Sequence, residues 1–442
     1  MAGLVVCFVI SLSFPLQAQT AEKRKSGKEL LMENPLRAAN AYYSYEAPAE
    51  VIDTPAPEGF TPFYVSHYGR HGSRYHTSNR YIAVATSVLD TLHSQGLLTE
   101  EGEGVLSDLN ELAKVHEGMS SFLTQKGARE HQAIAQRLYD RCPEAFNQPD
   151  RREVFAASTA VDRCIQSMSN FLISLKGNAP ALDISMYSGE RFSKILIREP
   201  LPAPPEFRQV HRAIYDSVYN AVFDPTRIRK AWFTDSQKAE TFMKRGLLPF
   251  IYDVFYAGGI AQCMDENIPC VYRHFTFEEL YNIWYADNIQ QYNNYNNTLD
   301  NMSIFTVTAI NILRDFVERA DAALEPGSHR AADFRFGHDS GVMPFMKYIE
   351  IEGNVGMHHM TEAHDLGWYC FEQVPMGVNF QMIFYKNAEG EVIVKALHNE
   401  KEVSFPRLKP YSAPYYYSWK DLREYFDNLL PKDPDAYLWP RP

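Results

Sequence analysis

Short apolar runs and helical patterns alternate in the first half of the chain. Residues 63–65 (Phe-Tyr-Val) form a β-prone run that ends in a glycine-rich loop. Thr77 and Ser78 then supply helix-capping side chains, and apolar residues recur at helical spacing from Ile82 to Leu92. This order of strand, loop and helix is typical of α/β proteins.

The same order recurs further along the chain. A helical pattern runs from Leu123 through Tyr139, and residues 153–157 (Glu-Val-Phe-Ala-Ala) predict a second strand followed by a helix over 161–172. The loops after the two strands are therefore expected at the carboxyl ends of neighbouring strands. Open α/β sheets bind their ligands at this edge.

The middle of the chain reads as helical, and strand patterns return after it. We expect an α/β domain formed by residues 60–184 and 329–442, interrupted by a mostly α-helical insertion at 185–328. The patterns behind this division are helical over 277–285 and 302–324, strand-like over 332–336, 380–385 and 391–397, and helical again over 342–349 and 419–430.

The N-terminus carries an apolar run that ends at small residues. We interpret residues 1–21 as a signal peptide cut near Ala18 or Ala21, which predicts a secreted or periplasmic protein. An uncleaved membrane anchor is the alternative, and it would be the only contact with a membrane. Residues 22–59 are polar and proline-bearing, and we expect an N-terminal extension over the fold.

Composition and charge narrow the partners. The chain is 45% apolar and 22% charged, as in globular proteins large enough for two domains. Its formal net charge of -12 argues against a nucleic-acid partner, which calls for a basic face. A small anionic ligand stays compatible with this charge if basic residues cluster locally.

Cysteine usage gives one structural expectation. After the signal peptide the chain holds an odd number of cysteines: Cys142, Cys164, Cys263, Cys270 and Cys370. Cys263 and Cys270 flank a short loop and are the best candidates for a disulfide. No cysteine has the CxxC or Cys/His spacing of a zinc site.

Unusual polar groups occupy three predicted strand-end loops. They are Arg70, His71 and Arg74 in the first loop, Arg163 after the second strand, and His338 with Asp339 after the strand at 332–336. One guanidinium group can donate two parallel hydrogen bonds to phosphate oxygens. An imidazole can attack phosphorus, and a carboxylic acid can protonate a leaving alkoxide. The set therefore suits a phosphoryl group.

Residues 70–74 (Arg-His-Gly-Ser-Arg) resemble the RHGxR signature of the histidine acid phosphatases, a branch of the histidine phosphatase superfamily that includes phytases and multiple inositol polyphosphate phosphatases. His338-Asp339 resembles the distal HD motif of that branch, and residues 123–131 and 157–168 are similar to two further family segments. The resemblance implies a three-layer α/β sandwich of the phosphoglycerate-mutase type with an inserted helical domain.

The resemblance also implies a role for each residue. His71 would be the nucleophile that becomes a phosphohistidine, and Asp339 would protonate the leaving group. The phosphate would be held by Arg70, Arg74, Arg163 and His338. The resemblance implies no metal and no cofactor, and the partner would be a small-molecule phosphomonoester, with inositol phosphates as a candidate class.

Two positions depart from the family pattern. His76 stands where the motif usually has proline, which places a titratable group near the mouth of the site as either a solvated residue or a substrate contact. His338 is followed by Asp339, whereas animal-type inositol polyphosphate phosphatases usually carry HAE. The second departure leaves the substrate open.

Several residues also have simpler readings. His67 would be a half-buried strand residue, Arg163 a surface charge and Asp339 a helix cap. Two other functions are compatible with the motifs: a phosphoglycerate-mutase-like enzyme, which an exported chain does not favour, and a phosphoanion-binding protein without turnover.

Overall fold

The computed structural model describes residues 24–196, 205–265, 267–296, 298–301 and 309–432. The α-helices in these ranges are α1 (Gly27–Glu33), α2 (Arg80–Ser94), α3 (Glu100–His116), α4 (Gln125–Arg141), α5 (Pro143–Phe146), α6 (Asp162–Asn178), α7 (Glu190–Leu196), α8 (Pro205–Val222), α9 (Thr226–Trp232), α10 (Ser236–Glu240), α11 (Leu247–Gly258), α12 (Phe277–Tyr295), α13 (Ile310–Leu324), α14 (Asp339–Tyr348), α15 (Cys370–Gln373) and α16 (Trp419–Leu429). The strands are β1 (Thr61–Arg70), β2 (Glu153–Ser158), β3 (Asp183–Ser188), β4 (Arg330–Gly337), β5 (Asn379–Lys386), β6 (Val392–His398), β7 (Lys401–Val403) and β8 (Tyr416–Ser418). The predicted signal peptide, residues 1–21, lies outside the described residues.

One eight-stranded sheet organises the protein. Its order is β3-β2-β4-β1-β5-β6-β7, with β8 paired to β6. The strands β3, β2, β4 and β1 are mutually parallel, and β5 pairs with β1 in the antiparallel direction. The late strand β4 therefore lies between β1 and β2, and the carboxyl ends of all three meet at one edge.

Helices cover both faces of the sheet. Side chains alternate along β1, so that Val65 faces a core shared with α4 and α6, whereas Tyr64 and Tyr68 face a core shared with α13, α14 and α16. This three-layer arrangement confirms the predicted α/β fold class. The strand patterns from 63, 153, 332, 380 and 391 all lie in strands of this sheet.

A third hydrophobic core lies among the helices, away from the sheet. It is formed by apolar faces of α2, α3, α9, α11 and α12 together with the N-terminal segment. Helices α2 and α3 precede residue 185, and α13, which was assigned to the insertion, packs against α14 and the sheet. Helix packing thus crosses the boundaries at 185 and 328, because helical periodicity shows that a face is buried and not which core buries it. The division into domains stays a prediction.

The N-terminal extension has more structure than its polar sequence suggests. Helix α1 begins with a capping box between Ser26 and Glu29, and a 3₁₀ helix covers Pro35–Tyr42. Ala38, Ala39 and Ala41 of this segment are buried, since it packs against α12 and α15. Such short helices depend on tertiary packing, which a local pattern does not reveal.

The predicted disulfide between Cys263 and Cys270 is wrong. Both cysteines are free, as are the other cysteines among the described residues. The Cys263 thiol donates to the carbonyl of Tyr42 at 3.2 Å, whereas the Cys270 thiol points to the carbonyl of Gly258 at 3.8 Å. The two sulfurs therefore contact different backbone segments, one at Tyr42 and the other at Gly258. No helix in the described ranges has the length and apolar character needed to cross a bilayer.

Candidate active site

The candidate site lies where β1, β2 and β4 end. Arg70 is aligned with Gly337 across the β1–β4 pair, and Ser158 with Phe336 across the β2–β4 pair. The backbone N–H of His71 continues the ladder by donating to the Gly337 carbonyl at 3.0 Å. Sheet register thus brings three distant sequence segments to one point.

Geometry fixes the protonation of His71. Its ring is 2% exposed, and Nδ1 lies 2.9 Å from the carbonyl oxygen of Gly72. Because a carbonyl can only accept, Nδ1 carries the proton and Nε2 carries the lone pair. Burial, followed by the charges of Arg163, Arg70 and Arg74, holds the pKa of His71 well below its usual range. Burial and the three guanidinium charges therefore favour the neutral imidazole, with the lone pair on Nε2.

The guanidinium groups of Arg70 and Arg74 donate hydrogen bonds to backbone carbonyls. Nη1 of Arg70 donates to the carbonyls of Ala41 at 2.7 Å and Val374 at 2.9 Å, and Arg70 is 1% exposed. Nη1 of Arg74 donates to its neighbour's carbonyl, and its guanidinium lies 5.2 Å from the ring centre of Tyr42. The rigid donors of both side chains are thus oriented before any ligand arrives.

The third guanidinium comes from the start of α6. Nη1 of Arg163 donates to Ser121 Oγ at 2.6 Å, and its Nη2 lies 3.4 Å from Nδ1 of His338. Because Nη2 can only donate, Nδ1 of His338 accepts, and its Nε2 carries the proton, 3.3 Å from Thr159 Oγ1. Burial and then Arg163 lower the pKa of His338 to about 4.

The three arginines share one further feature. The Nε atoms of Arg70, Arg74 and Arg163 are buried and lack a hydrogen-bond partner within the described part of the chain. A buried donor without an acceptor is costly, so such groups normally bind a ligand or an ordered water. Three guanidinium groups with such donors surround one imidazole, which makes this cluster the candidate anion site.

Asp339 faces the same arginines from the start of α14. Its Oδ2 lies 3.0 Å from Arg70 Nη2 and accepts from the Tyr295 hydroxyl at 2.8 Å, while Oδ1 accepts from the Ser340 N–H at 2.8 Å. Burial alone would raise the pKa of Asp339. The charge of Arg70, the Tyr295 hydrogen bond and the charge of His338 outweigh burial and lower the pKa to about 2.

The loop that carries His71 rests on the first turns of α4. A Cβ at Gly72 would lie 2.6 Å from the carbonyl oxygen of Gly127, so only glycine fits there. Ser73 donates its N–H and its hydroxyl to the two carboxylate oxygens of Glu130, at 2.7 and 2.6 Å. Thr124, the N-cap of α4, donates through its backbone N–H and its hydroxyl to the Ser73 carbonyl, each at 3.0 Å.

A cavity of about 170 Å³ opens beside Arg70, Arg74 and Asp339. Its other walls come from the helical core and the N-terminal segment; they include the aromatic rings of Tyr42, Tyr256 and Tyr295 and the polar side chains of Asp287 and Gln291. Asp339, the two arginines and these rings thus line one cavity. Among the described residues, no group of three or more acidic, histidine or cysteine side chains is placed to hold a metal.

Known structures share this architecture. A multiple inositol polyphosphate phosphatase of Bifidobacterium longum, crystallised with inositol hexasulfate, superposes with a TM-score of 0.73 at 18% identity over 88% of this chain and 97% of that one. The phytase of D. castellii superposes with a TM-score of 0.64 at 16% identity over 89% and 85% of the two chains. No family model and no curated protein sequence matches the chain. The chain has the histidine acid phosphatase fold.

Within this histidine acid phosphatase fold, all six residues singled out from the sequence lie in one neighbourhood. They are Arg70, His71, Arg74, Arg163, His338 and Asp339. The rings of His71 and His338 are 5.6 Å apart at their centres. The simple reading of Arg163 as a surface charge does not fit its contacts with Ser121 and His338. Their catalytic roles stay a prediction.

His76 differs from its expected environment. It is fully buried rather than solvated, and its ring packs against Tyr42, Tyr81, Tyr256 and His116. Burial lowers its pKa to about 3, so it adds no titrating charge to the mouth of the site in mild acid. Its Nε2 lies 3.0 Å from the carbonyl of residue 257 in α11. His76 thus joins the first loop to the helical core.

His67 lies on β1, as its simpler reading expected, but it is fully rather than half buried. It lies between Phe171, Phe334 and Phe336, and burial lowers its pKa. The His67 ring also explains the glycine at position 69, because a Cβ there would lie 2.8 Å from a carbon of this ring.

Sequence reasoning missed four residues that shape the site: Tyr42, Ser121, Glu130 and Tyr295. Glu130 lies in the 123–131 segment that resembles the family, two turns after the Thr124 cap, so its inward position could be inferred from helical spacing. The other three come from segments whose patterns show no link to the motif loops.

Proposed function

We propose that the protein is a phosphomonoester hydrolase of the histidine acid phosphatase type that works through a phosphohistidine intermediate. The observation that carries this proposal is the neutral His71 imidazole surrounded by three guanidinium groups, each with a buried and unpaired Nε–H. Guanidinium groups around a phosphoryl group stabilise the charge on its oxygens in the transition state.

In the first step Nε2 of His71 attacks phosphorus and the bond to the leaving oxygen breaks. Asp339 gives its proton to that oxygen, which leaves as an alcohol. In the second step Asp339 takes a proton from water, the water oxygen attacks phosphorus, and the N–P bond breaks. Inorganic phosphate leaves and the neutral imidazole of His71 is restored.

Asp339 must be protonated for the first step, although its pKa is about 2 in the free protein. A bound phosphoryl dianion supplies the reason for proton uptake. It pairs with Arg70, which now holds Asp339 ionised, and it repels the carboxylate directly. Substrate binding therefore raises the pKa of Asp339 and loads the acid.

Inositol phosphates are the proposed substrate class, and the protein is proposed to be exported by residues 1–21. The shared fold with a multiple inositol polyphosphate phosphatase and a phytase supports the substrate class. The cavity beside Asp339 offers space for a ring-shaped leaving group.

A substrate panel tests the proposal. Turnover of phytate, sugar phosphates, nucleotides and an aryl phosphate is compared by kcat/KM between pH 4 and 7 in EDTA. We expect metal-independent turnover, an acid-labile phosphoenzyme, and loss of both in His71→Ala. Phosphate binding without turnover in the unmodified protein would identify a binding protein, and full activity of His71→Ala would refute the nucleophile.

A further inference from the structure

Ser121 adopts a backbone conformation that L-amino acids rarely populate. It lies in the turn between α3 and α4 and has a φ of 73°, in the left-handed region. Glycine would adopt this angle without strain. A serine in this place therefore needs an explanation in its side chain, because the backbone alone favours glycine.

The side chain and the backbone of Ser121 contact two parts of the phosphate site. Its N–H donates to the carbonyl of His76 at 2.7 Å, and its Oγ accepts from Nη1 of Arg163 at 2.6 Å. His116, at the end of α3, accepts from the N–H of His76 at 2.6 Å. This turn thus ties the loop of Arg74 to the third arginine.

Arg163 depends on this contact more than Arg70 depends on any one of its partners. Arg70 has a carboxylate and two carbonyls, whereas Arg163 forms no ion pair among the described residues. Its only hydrogen bonds there are to Ser121 and His338. Removing the Ser121 hydroxyl would leave the guanidinium held by a single long contact of 3.4 Å.

We propose that Ser121 is a positioning residue that orients Arg163 toward the bound phosphoryl group. The inference rests on the proposed function, and it adds a residue that neither the motifs nor the fold assign. In this arrangement the hydroxyl fixes Nη1 and thereby the orientation of the guanidinium beside His338. The strained φ is maintained because it points Oγ at Arg163.

Two substitutions separate positioning from folding. Ser121→Gly removes the hydroxyl and relieves the strained φ, so the melting temperature should stay within about 1–2 °C of the wild type or rise. Ser121→Asn keeps an oxygen acceptor, and asparagine tolerates the left-handed region. A cavity of about 220 Å³ lined by residues 120–122 and 160–162 leaves room for the larger amide.

The measurement is the affinity for inorganic phosphate by calorimetry, together with kcat and KM for an aryl phosphate. We expect Ser121→Gly to weaken phosphate binding and raise KM by roughly tenfold, as for a lost hydrogen bond to a charged group, and Ser121→Asn to restore most of it. Ser120→Ala is the matched control, because its hydroxyl donates to Asn79 instead. This control should bind phosphate within about twofold of the wild type.

Two results would overturn the proposal: phosphate affinity unchanged in Ser121→Gly, or Ser121→Asn no better than Ser121→Gly at an equal melting temperature. Phosphate binding needs no turnover, so this test is independent of the enzymatic assay. A wild-type protein that binds phosphate but hydrolyses nothing would contradict the proposed function, while the comparison of variants would still decide the role of Ser121.

Discussion

Replacing Asp339 by asparagine should make anion binding tighter while it makes turnover slower. In the wild type, Oδ2 of Asp339 faces the Arg70 guanidinium and accepts a hydrogen bond from the Tyr295 hydroxyl. The amide oxygen of asparagine can take the same position. The asparagine Nδ2 would then face the N–H of Ser340, which loses its acceptor at a cost of about 1 kcal/mol. The site should therefore stay folded, with the negative charge gone.

The structure gives the size of the effect on binding. Asp339 Oδ2 is 3.0 Å from Arg70 Nη2, so an anion on the same guanidinium would lie about 4–5 Å from the carboxylate. At an effective dielectric constant of about 20, two unit charges at this distance repel by about 4 kcal/mol. The cost of protonating Asp339 sets a similar upper limit on the gain in binding free energy. Its pKa is about 2, so protonation at pH 5 costs about 4 kcal/mol. Tightening should thus lie between about tenfold and a thousandfold.

Calorimetry with inorganic sulfate is the assay, because sulfate stays a dianion between pH 4 and 7. Titrations in two buffers of different ionisation enthalpy give the protons taken up on binding. We expect the wild type to take up close to one proton at pH 5 and Asp339→Asn to take up much less. Turnover of an alkyl phosphate should fall by about 10²–10⁴-fold, and that of an aryl phosphate with a good leaving group by less.

The reasoning would be refuted by weaker sulfate binding in Asp339→Asn, or by equal proton uptake in the two proteins. An equal loss of turnover for alkyl and aryl phosphates would contradict the role of Asp339 as the acid. Arg70→Ala is an unsuitable comparison, because it would leave two buried carbonyls without their donor.

Two further substitutions test the support of the first loop. Glu130→Gln should lower kcat by about tenfold with a smaller change in KM, because it weakens the two hydrogen bonds from Ser73 that set the position of the nucleophile; an unchanged kcat would contradict this. His116→Gln should flatten the loss of stability in acid. Burial lowers the folded pKa of His116 to about 4 against 6.5 in the unfolded chain, so the unfolded state binds the proton first and stability falls as pH drops from 6.5 toward 4, by up to about 3 kcal/mol. The glutamine can still accept from the His76 N–H. Denaturant unfolding at pH 7 and pH 4 measures how much free energy of unfolding the wild type and the variant lose. The two proteins should lose the same amount if His116 titrates normally.

The parts of the fold that follow from sequence are those in which one local pattern dominates. Strands β1 and β2 contain short apolar runs and β4 alternates phenylalanine with charged residues, so their ends and the motif loops could be located. Strand β3 was missed because it is the edge strand and most of its residues are exposed, which removes the apolar signal.

The site was predictable where a residue type carries chemistry and unpredictable where position alone gives it a role. His71 and Arg70 stand in a motif whose composition points to phosphate. Tyr295 and Ser121 are ordinary residue types that act only because distant segments fold against the motif loops. His76 shows the converse, since a titratable side chain near a site became a buried aromatic contact.

Arg70 is held by two carbonyls from distant parts of the sequence, so the candidate anion site can be completed only late in folding. The carbonyls of Ala41 and Val374 that hold this guanidinium are separated by more than three hundred residues, and both must be in place together. A chain that ends before Val374 lacks one of these two carbonyls and also β5, the strand that pairs with β1 on the side away from β4. Enzymatic activity should therefore report complete folding, and internal fragments of the chain should be inactive unless the missing segment is supplied in trans.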